Sequence, residues 1–373
     1  MSAQTIDGAA SKSLSSQYSS LGLVSTGAAG WQTVMSSNSG DFVTPVSFSN
    51  TITFATGHSV VGGPLVLPMG RLTITSDTPA LSSDTTAQTT VYYSPYLGNR
   101  ISIPTASGWS SGTFTELSQT LADATKSPAA AGVSSVYDLF VWSDSGTIRC
   151  TRGPAWSTTT SRGTGAGTTE LQRVNGVYVN KVAITNGPGA NLGIYVGTIG
   201  TSSSGANGQL NVMFAPAAAA GGTANRVDIW NAYNRIQFRS IVRDSTDTWA
   251  YTTATWRSAN NSTSNRVTIV RGLDEGAIEA SACGLASNST GAVVRSGIGI
   301  DSTSAVSHFP GSLRISNAAF GNMIGPARYG GLPGIGSHFV QWLEHSDAAG
   351  TTNWYGDNGT TTDQAGLIVS GYY

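Results

Sequence analysis

Charge is the scarcest resource in this chain. Lys, Arg, Asp and Glu together make up 10% of 373 residues, against roughly 25% in an ordinary soluble domain. The formal net charge is −1, and no Lys/Arg block forms a phosphate-tracking stripe, which excludes a long-range field for nucleic acid. Only Lys12, Lys126 and Lys181 are lysines; every other basic residue is arginine. Arginine suits bidentate, partly desolvated contacts, so the bias favours fixed interfaces over solvated charge, although a GC-rich genome produces the same bias.

Cysteine is nearly absent. Cys150 and Cys283 lie far apart with no CxxC or Cys/His neighbours, which removes a zinc site or a dithiol motif and leaves either two free thiols or one long-range disulfide. There is no apolar run of 18 residues, so no transmembrane helix and no membrane insertion is expected. The start, Met1–Asp7, lacks a basic region followed by an apolar one, and a signal peptide is not expected. The four histidines, His58, His308, His338 and His345, show no HExxH or HxH spacing. In a strand, His338 and His345 would point to opposite faces. No cofactor motif is present.

What the chain does have is period-two alternation. Arg226–Trp230, Ile236–Ser240 and Trp249–Trp256 alternate aromatic or β-branched residues with polar ones and are separated by Asn, Asp and Ser, the mark of half-buried antiparallel strands. Similar runs occur at Phe48–Phe54, Leu65–Leu67, Arg71–Thr75, Val91–Tyr93, Phe114–Leu117, Val136–Trp142, Thr147–Cys150 and Val177–Ile184. Further runs follow at Val267–Val270, Ala277–Ala280, Gly297–Ile300, Val340–Leu343 and Leu367–Val369. Ser143-Asp-Ser-Gly146 reads as a turn between two of them. Leu192–Gly197 and Leu210–Phe214 flank a Ser/Gly stretch and resemble a hairpin. Helix is expected only as two turns over Leu117–Ala124 and one over Trp230–Arg235. With 39% hydrophobic residues, 9 Trp and 13 Tyr, the chain has enough apolar surface to fold.

These runs predict an all-β protein of antiparallel β-sandwich or jelly-roll-like domains with an extended N-terminal arm. Residues 1–50 are Ser/Gly/Ala-rich, with thinly spread anchors at Leu14, Tyr18, Leu21, Leu23, Val24 and Trp31. Ordering such a segment costs about 1–2 kcal/mol per residue of backbone entropy, so it is expected to order against another surface. A β domain is expected over 51–186 and a C-terminal sandwich over 187–373.

Candidate chemistry is thin. No GxSxG elbow occurs. Asp274, Glu275 and Glu279 are the densest acidic stretch, and a glycoside hydrolase needs two carboxylates about 5–10 Å apart; a solvated turn at Asp274-Glu275-Gly276 is the simpler reading. Gly163-Thr-Gly-Ala-Gly167 lacks the Lys-Ser/Thr of a phosphate loop and reads as a linker. The Asn-x-Ser/Thr triplets at Asn260, Asn261, Asn288 and Asn358 matter only in a eukaryotic secretory path. Two aromatic patches remain. In a regular strand Trp249 and Tyr251 would share one face and Trp256 the other. Asn353–Gly359 sets Trp354 and Tyr355 beside Asp357 and Asn358, a composition able to stack on sugar rings and bond hydroxyls, or to pack in a core or interface. These four are the candidate glycan or partner contacts.

Several stretches carry a resemblance ordered along roughly residues 65–370: Arg71–Thr75, Val91–Arg100, Tyr137–Val141, Leu171–Val177, Ile229–Arg235, Asp244–Arg257, Gly299–Asp301, Leu332–His338 and Trp354–Asn358. Together they are similar to tail-fibre-like, receptor-binding-region virion proteins of tailed bacteriophages. The resemblance implies a non-enzymatic, β-rich structural component of a virion, attached to the particle and to other virion proteins by its N-terminal part. It implies no catalytic residues. The expected protein is made in the bacterial host cytoplasm, self-associates as a homotrimer and sits at the tail, contacting the host surface and a host glycan there. Composition that looks extracellular without an export signal suits release by lysis. A capsid decoration or cement protein is the alternative, and a polysaccharide-degrading tail enzyme using Asp274 or Glu279 is a third reading.

Overall fold

A computed structural model of the protein describes residues 5–6, 20–25, 30–37, 66–315, 318–360 and 362–373. The chain divides into two compact units, Met1–His58 and Ser59–Tyr373. In the first, Ser20–Ser25 and Gly30–Ser37 form an antiparallel pair, and Thr5–Ile6 joins Gly30–Ser37 in parallel. Of the arm's expected anchors, Leu14 and Tyr18 lie outside the described residues, as do the strand expected at Phe48–Phe54, Leu65 and His58.

The second unit is all-β among its described residues, apart from one 3-10 turn at Ala259–Asn261. Two large sheets share a core. One runs Gly311–Ile315, Ala292–Ile300, Gly336–Ser346, Arg266–Arg271, Asn225–Val227, Leu210–Val212 and Thr85–Gln88, with Arg257–Ser258 added on Gly336–Ser346. The other runs Gln237–Arg243, Gly366–Tyr372, Ile278–Asn288, Thr352–Tyr355 and Trp249–Ala250, with Ala318–Gly331 on the far side of Ile278–Asn288. Val267, Ile269, Val340 and Trp342 of the first sheet and Phe238, Val242, Leu367 and Val369 of the second lie in one buried cluster. That is a β-sandwich, and the alternation explains it. In Gln237–Arg243 and Gly366–Tyr372 every second residue is buried, because successive side chains of a strand point to opposite faces.

A third sheet is built on Ile194–Gly200, which is buried at every position and pairs with Val136–Asp144, Val177–Asn180 and Ile229–Asn231. This corrects the expected hairpin: Leu210–Val212 pairs with Asn225–Val227 and Thr85–Gln88 in another sheet, so residues 201–209 cross between sheets. The boundary expected near residue 186 falls in a turn within this third sheet, where Val179 opposes Ile194, and the chain from Ser59 onward is one unit. Neither expected helical stretch is helical; each begins as a strand and ends in a turn or bend. Leu117–Thr120 pairs with Thr90–Pro95, and Ile229–Asn231 pairs with Ile194–Gly200.

The Ser143–Gly146 turn is where sequence placed it. Asp144 opposes Thr147, and Ser145 and Gly146 have φ of 52° and 93°, the left-handed pair that a two-residue hairpin needs. A Cβ on Gly146 would meet nothing within 4 Å, so Gly146→Ala is expected to cost only the backbone term, about 1–2 kcal/mol, read as a lowered denaturant midpoint.

The arginine bias finds an internal use. Arg71 is fully buried and donates to the carbonyls of Asn234, Pro79 and Tyr373, and Arg152 to those of Leu121, Asp123 and Ala129. Arg162, just before the glycine-rich stretch read as a linker, pairs with the buried Asp138. Cys150 and Cys283 are both free, and burial pushes the Cys150 thiol up to about 12.

Candidate functional site

The structure brings the two aromatic patches together. Trp249–Ala250 pairs with Thr352–Tyr355, placing Trp249 opposite Trp354. The strand ends at Ala250, but the Tyr251 amide still donates to the Thr352 carbonyl at 3.1 Å, and Trp249 and Tyr251 both pack against the cluster around Trp354, as expected for residues two apart. Residues 252–256 leave the sheet, and the chain rejoins one at Arg257, opposite Glu344. The excursion is closed on itself, because the Tyr251 hydroxyl donates to the Thr255 carbonyl at 2.8 Å. The Arg257 guanidinium stacks on the Tyr251 ring, 3.7 Å from its centroid, a cation–π contact that holds the ring upright. Trp256 lies over Gly297, where an added Cβ would stand 2.6 Å from the indole; only glycine admits that approach. Its ring also packs on His345 at 5.1 Å, and His345 Nδ1 is 3.2 Å from Arg295 Nη1. Trp256, Tyr251, Arg257, His345 and Arg295 are all half-exposed, forming an aromatic–arginine ledge.

Beneath the ledge sits Glu344, fully buried. Its carboxylate accepts from Arg257 Nε and Trp249 Nε1, each at 2.7 Å. Burial raises its pKa to about 7, although Arg257 opposes the shift. Burial, and then the charge of Arg295, hold the His345 imidazole below its ordinary value. The site therefore holds a carboxyl that titrates near neutrality, with its hydrogen bonds reaching both ends of the ledge loop. A group so perturbed is a marker of functional sites and of structural networks alike.

Of the four contacts expected from sequence, Trp354 is corrected. It is fully buried among Ala286, Ala292, Val294 and Ile324, and its indole donates to the Tyr251 carbonyl at 3.2 Å, so it offers no ring face to a sugar. Tyr355 is half-buried, with its hydroxyl 2.9 Å from that of Ser287. Asp357 and Asn358 form a turn in which Asp357 Oδ1 accepts from Gly359 N at 3.1 Å. Gly356 N donates to the Thr246 carbonyl at 3.0 Å, tying this turn to the segment that leads into the ledge. Sequence reading missed Glu344, His345, Arg257 and Arg295. One signal was available: Trp342 and Glu344 occupy inward positions of one alternating strand, and a buried acid demands partners.

The acidic stretch forms a turn, with Gly276 at φ 75°. Asp274 lies 3.7 Å from Arg271, and Glu275 lies 3.0 Å from Arg235. Glu279 stands on the following strand and is exposed. His338 bonds Asp301 Oδ2 at 2.7 Å and the Ile335 carbonyl at 3.1 Å, a satisfied core histidine. Among the described residues no group of three or more His, Cys, Asp or Glu side chains is placed to hold a metal ion. Compared with known family models and with curated proteins, the sequence matches none.

Proposed function

We propose that this chain is a non-enzymatic structural component of a bacteriophage virion, a tail-associated appendage whose sandwich unit faces the host surface and whose N-terminal part attaches it to other virion proteins. The observation that carries this reading is the ledge of Tyr251, Trp256, Arg257 and His345, half-exposed on a rigid β-sandwich. Half-exposed aromatic and arginine side chains are the groups enriched at the centres of recognition surfaces, and the loop that carries Tyr251 and Trp256 is held against strand residues Arg257 and His345 by ring contacts. The ordered resemblance over residues 65–370 supplies the particle.

The reading also holds that the chain acts as a homotrimer. The test is cryo-electron microscopy of the native particle with the chain traced into the map, together with sedimentation of the purified chain. Threefold density at the tail and a trimer in solution are the expected results. Density across the capsid lattice would instead make it a decoration protein, and a monodisperse monomer at micromolar concentration would overturn the trimer.

A further inference from the structure

A second surface lies on the outward face of the sandwich sheet that contains Ile278–Asn288. There, Ser370, Glu279 and Gly330 stand in one cross-strand row, and Ile368, Ser281 and Arg328 in the next. Between them runs an open groove of about 460 Å³, within the range of small-ligand sites. Gly330 makes the groove: it opposes Glu279, and a Cβ built on it would meet nothing within 4 Å. Tyr329, between Arg328 and Gly330, borders the groove while its half-buried side chain packs against the core on the other face, opposite Ala280, and His308 stacks on its ring at 4.6 Å. The backbone of Arg328 is fixed by a two-way bridge to Phe309.

The lining is unspent. Among the described residues, neither the Glu279 carboxylate nor the Arg328 guanidinium has a side-chain hydrogen bond or ion pair, although fifteen Lys, Arg, Asp and Glu side chains of this unit are joined to a partner of opposite sign. The Ser281 and Ser370 hydroxyls likewise make no side-chain bond there. One carboxylate, one guanidinium and two free hydroxyls around a channel open to solvent match vicinal sugar hydroxyls, which donate to the first and accept from the second. Opposite charges side by side disfavour a polyanion. Only Ile368 and Ala280 are aliphatic in the lining, which gives little to anchor an apolar peptide side chain.

The geometry points to a saccharide-binding groove on this sheet face, in which Glu279 and Arg328 bind vicinal hydroxyls of a short glycan segment over the opening left by Gly330. This inference rests on the host-contact reading, and it moves the glycan site from the Trp354–Asn358 turn to a different end of the sheet.

The test uses the full-length chain, fluorescently labelled, on a printed array of bacterial surface oligosaccharides spanning neutral, amino and uronic sugars. The wild type is expected to bind a subset of spots. Gly330→Phe puts a ring where an added Cβ meets nothing within 4 Å and should weaken binding to those spots at least tenfold, with an unchanged thermal midpoint. Arg328→Ala should weaken the same spots. Wild-type binding to no spot overturns the groove, as does binding that Gly330→Phe leaves unchanged. A changed sedimentation coefficient in Gly330→Phe would show that the groove is a contact between copies and would equally overturn it. If the chain is at the tail and the groove fails, the appendage reading stands; if groove-dependent binding is found for a chain absent from the particle, that reading falls and the groove stands.

Discussion

Asp138→Ala is expected to destabilise the Ser59–Tyr373 unit by about 3–5 kcal/mol, the range for breaking a buried ion pair from one side. The Asp138 carboxylate is fully buried and accepts four hydrogen bonds: from Arg162 Nε at 2.6 Å and Nη2 at 3.1 Å, from Thr169 at 2.8 Å and from Thr198 at 2.6 Å. Arg162 is only 10% exposed. Burial opposes its charge, Asp138 favours it, and the balance lies above the ordinary arginine value. Its Nη2 also donates to the Gly272 carbonyl at 2.6 Å, and its guanidinium lies over Trp156 at 4.3 Å. The pair thus ties the Ser157–Glu170 loop to the third sheet and to the end of the Arg266–Arg271 strand. Removing the acid leaves the guanidinium buried without compensation, and the denaturant midpoint should fall accordingly. The double variant Asp138→Leu with Arg162→Met should recover most of the loss, because replacing both charges by apolar groups avoids their desolvation. A loss below about 1 kcal/mol in the single variant would show that water reaches the guanidinium.

The second large effect is a pH dependence set by Glu344. A carboxyl raised from 4.5 to about 7 in the folded state binds its proton more tightly folded than unfolded. Its contribution to stability is complete below about pH 4.5 and is lost as pH rises through 7. At 1.36 kcal/mol per unit, the loss is about 3 kcal/mol. His345, held below its ordinary value, works in the opposite direction, since stability from a depressed histidine grows as pH rises towards that value and is complete above it. The comparison that isolates Glu344 is therefore wild type against Glu344→Gln: the wild type should lose stability between pH 5 and pH 8 relative to the variant. Trp249 donates directly to this carboxylate, so tryptophan emission should report the same titration. Parallel curves for the two proteins would show that Glu344 stays ionised throughout.

How much of this was legible in the sequence varies by residue. The strands at Val267–Val270, Val340–Leu343 and Leu367–Val369 were readable because alternation there comes from β-branched and aromatic residues. The 14-residue strand Ala318–Gly331 was not, since its Ala, Gly and Asn content carries little strand propensity, and its pairing with Ile278–Asn288 supplies what local preference does not. The site was half legible. Both aromatic patches were visible, but Trp354 reads the same whether it stacks on a sugar or fills a core. Glu279 was visible as an acid, yet the groove beside it depends on a glycine on a neighbouring strand.

What the sequence determined by itself was local: an all-β chain, inward and outward faces along each run, and the Ser143–Gly146 turn. These follow from the two-residue period of the extended backbone and from which residues tolerate positive φ. Tertiary structure alone decided partnership. It sent Ile194–Gly200 and Leu210–Val212 to different sheets, buried Trp354, drew Arg162 onto Asp138 and left Gly330 facing open space. Pairing between distant strands is chosen by the burial it achieves against the entropy of closing the chain between them, and both quantities belong to the assembled core.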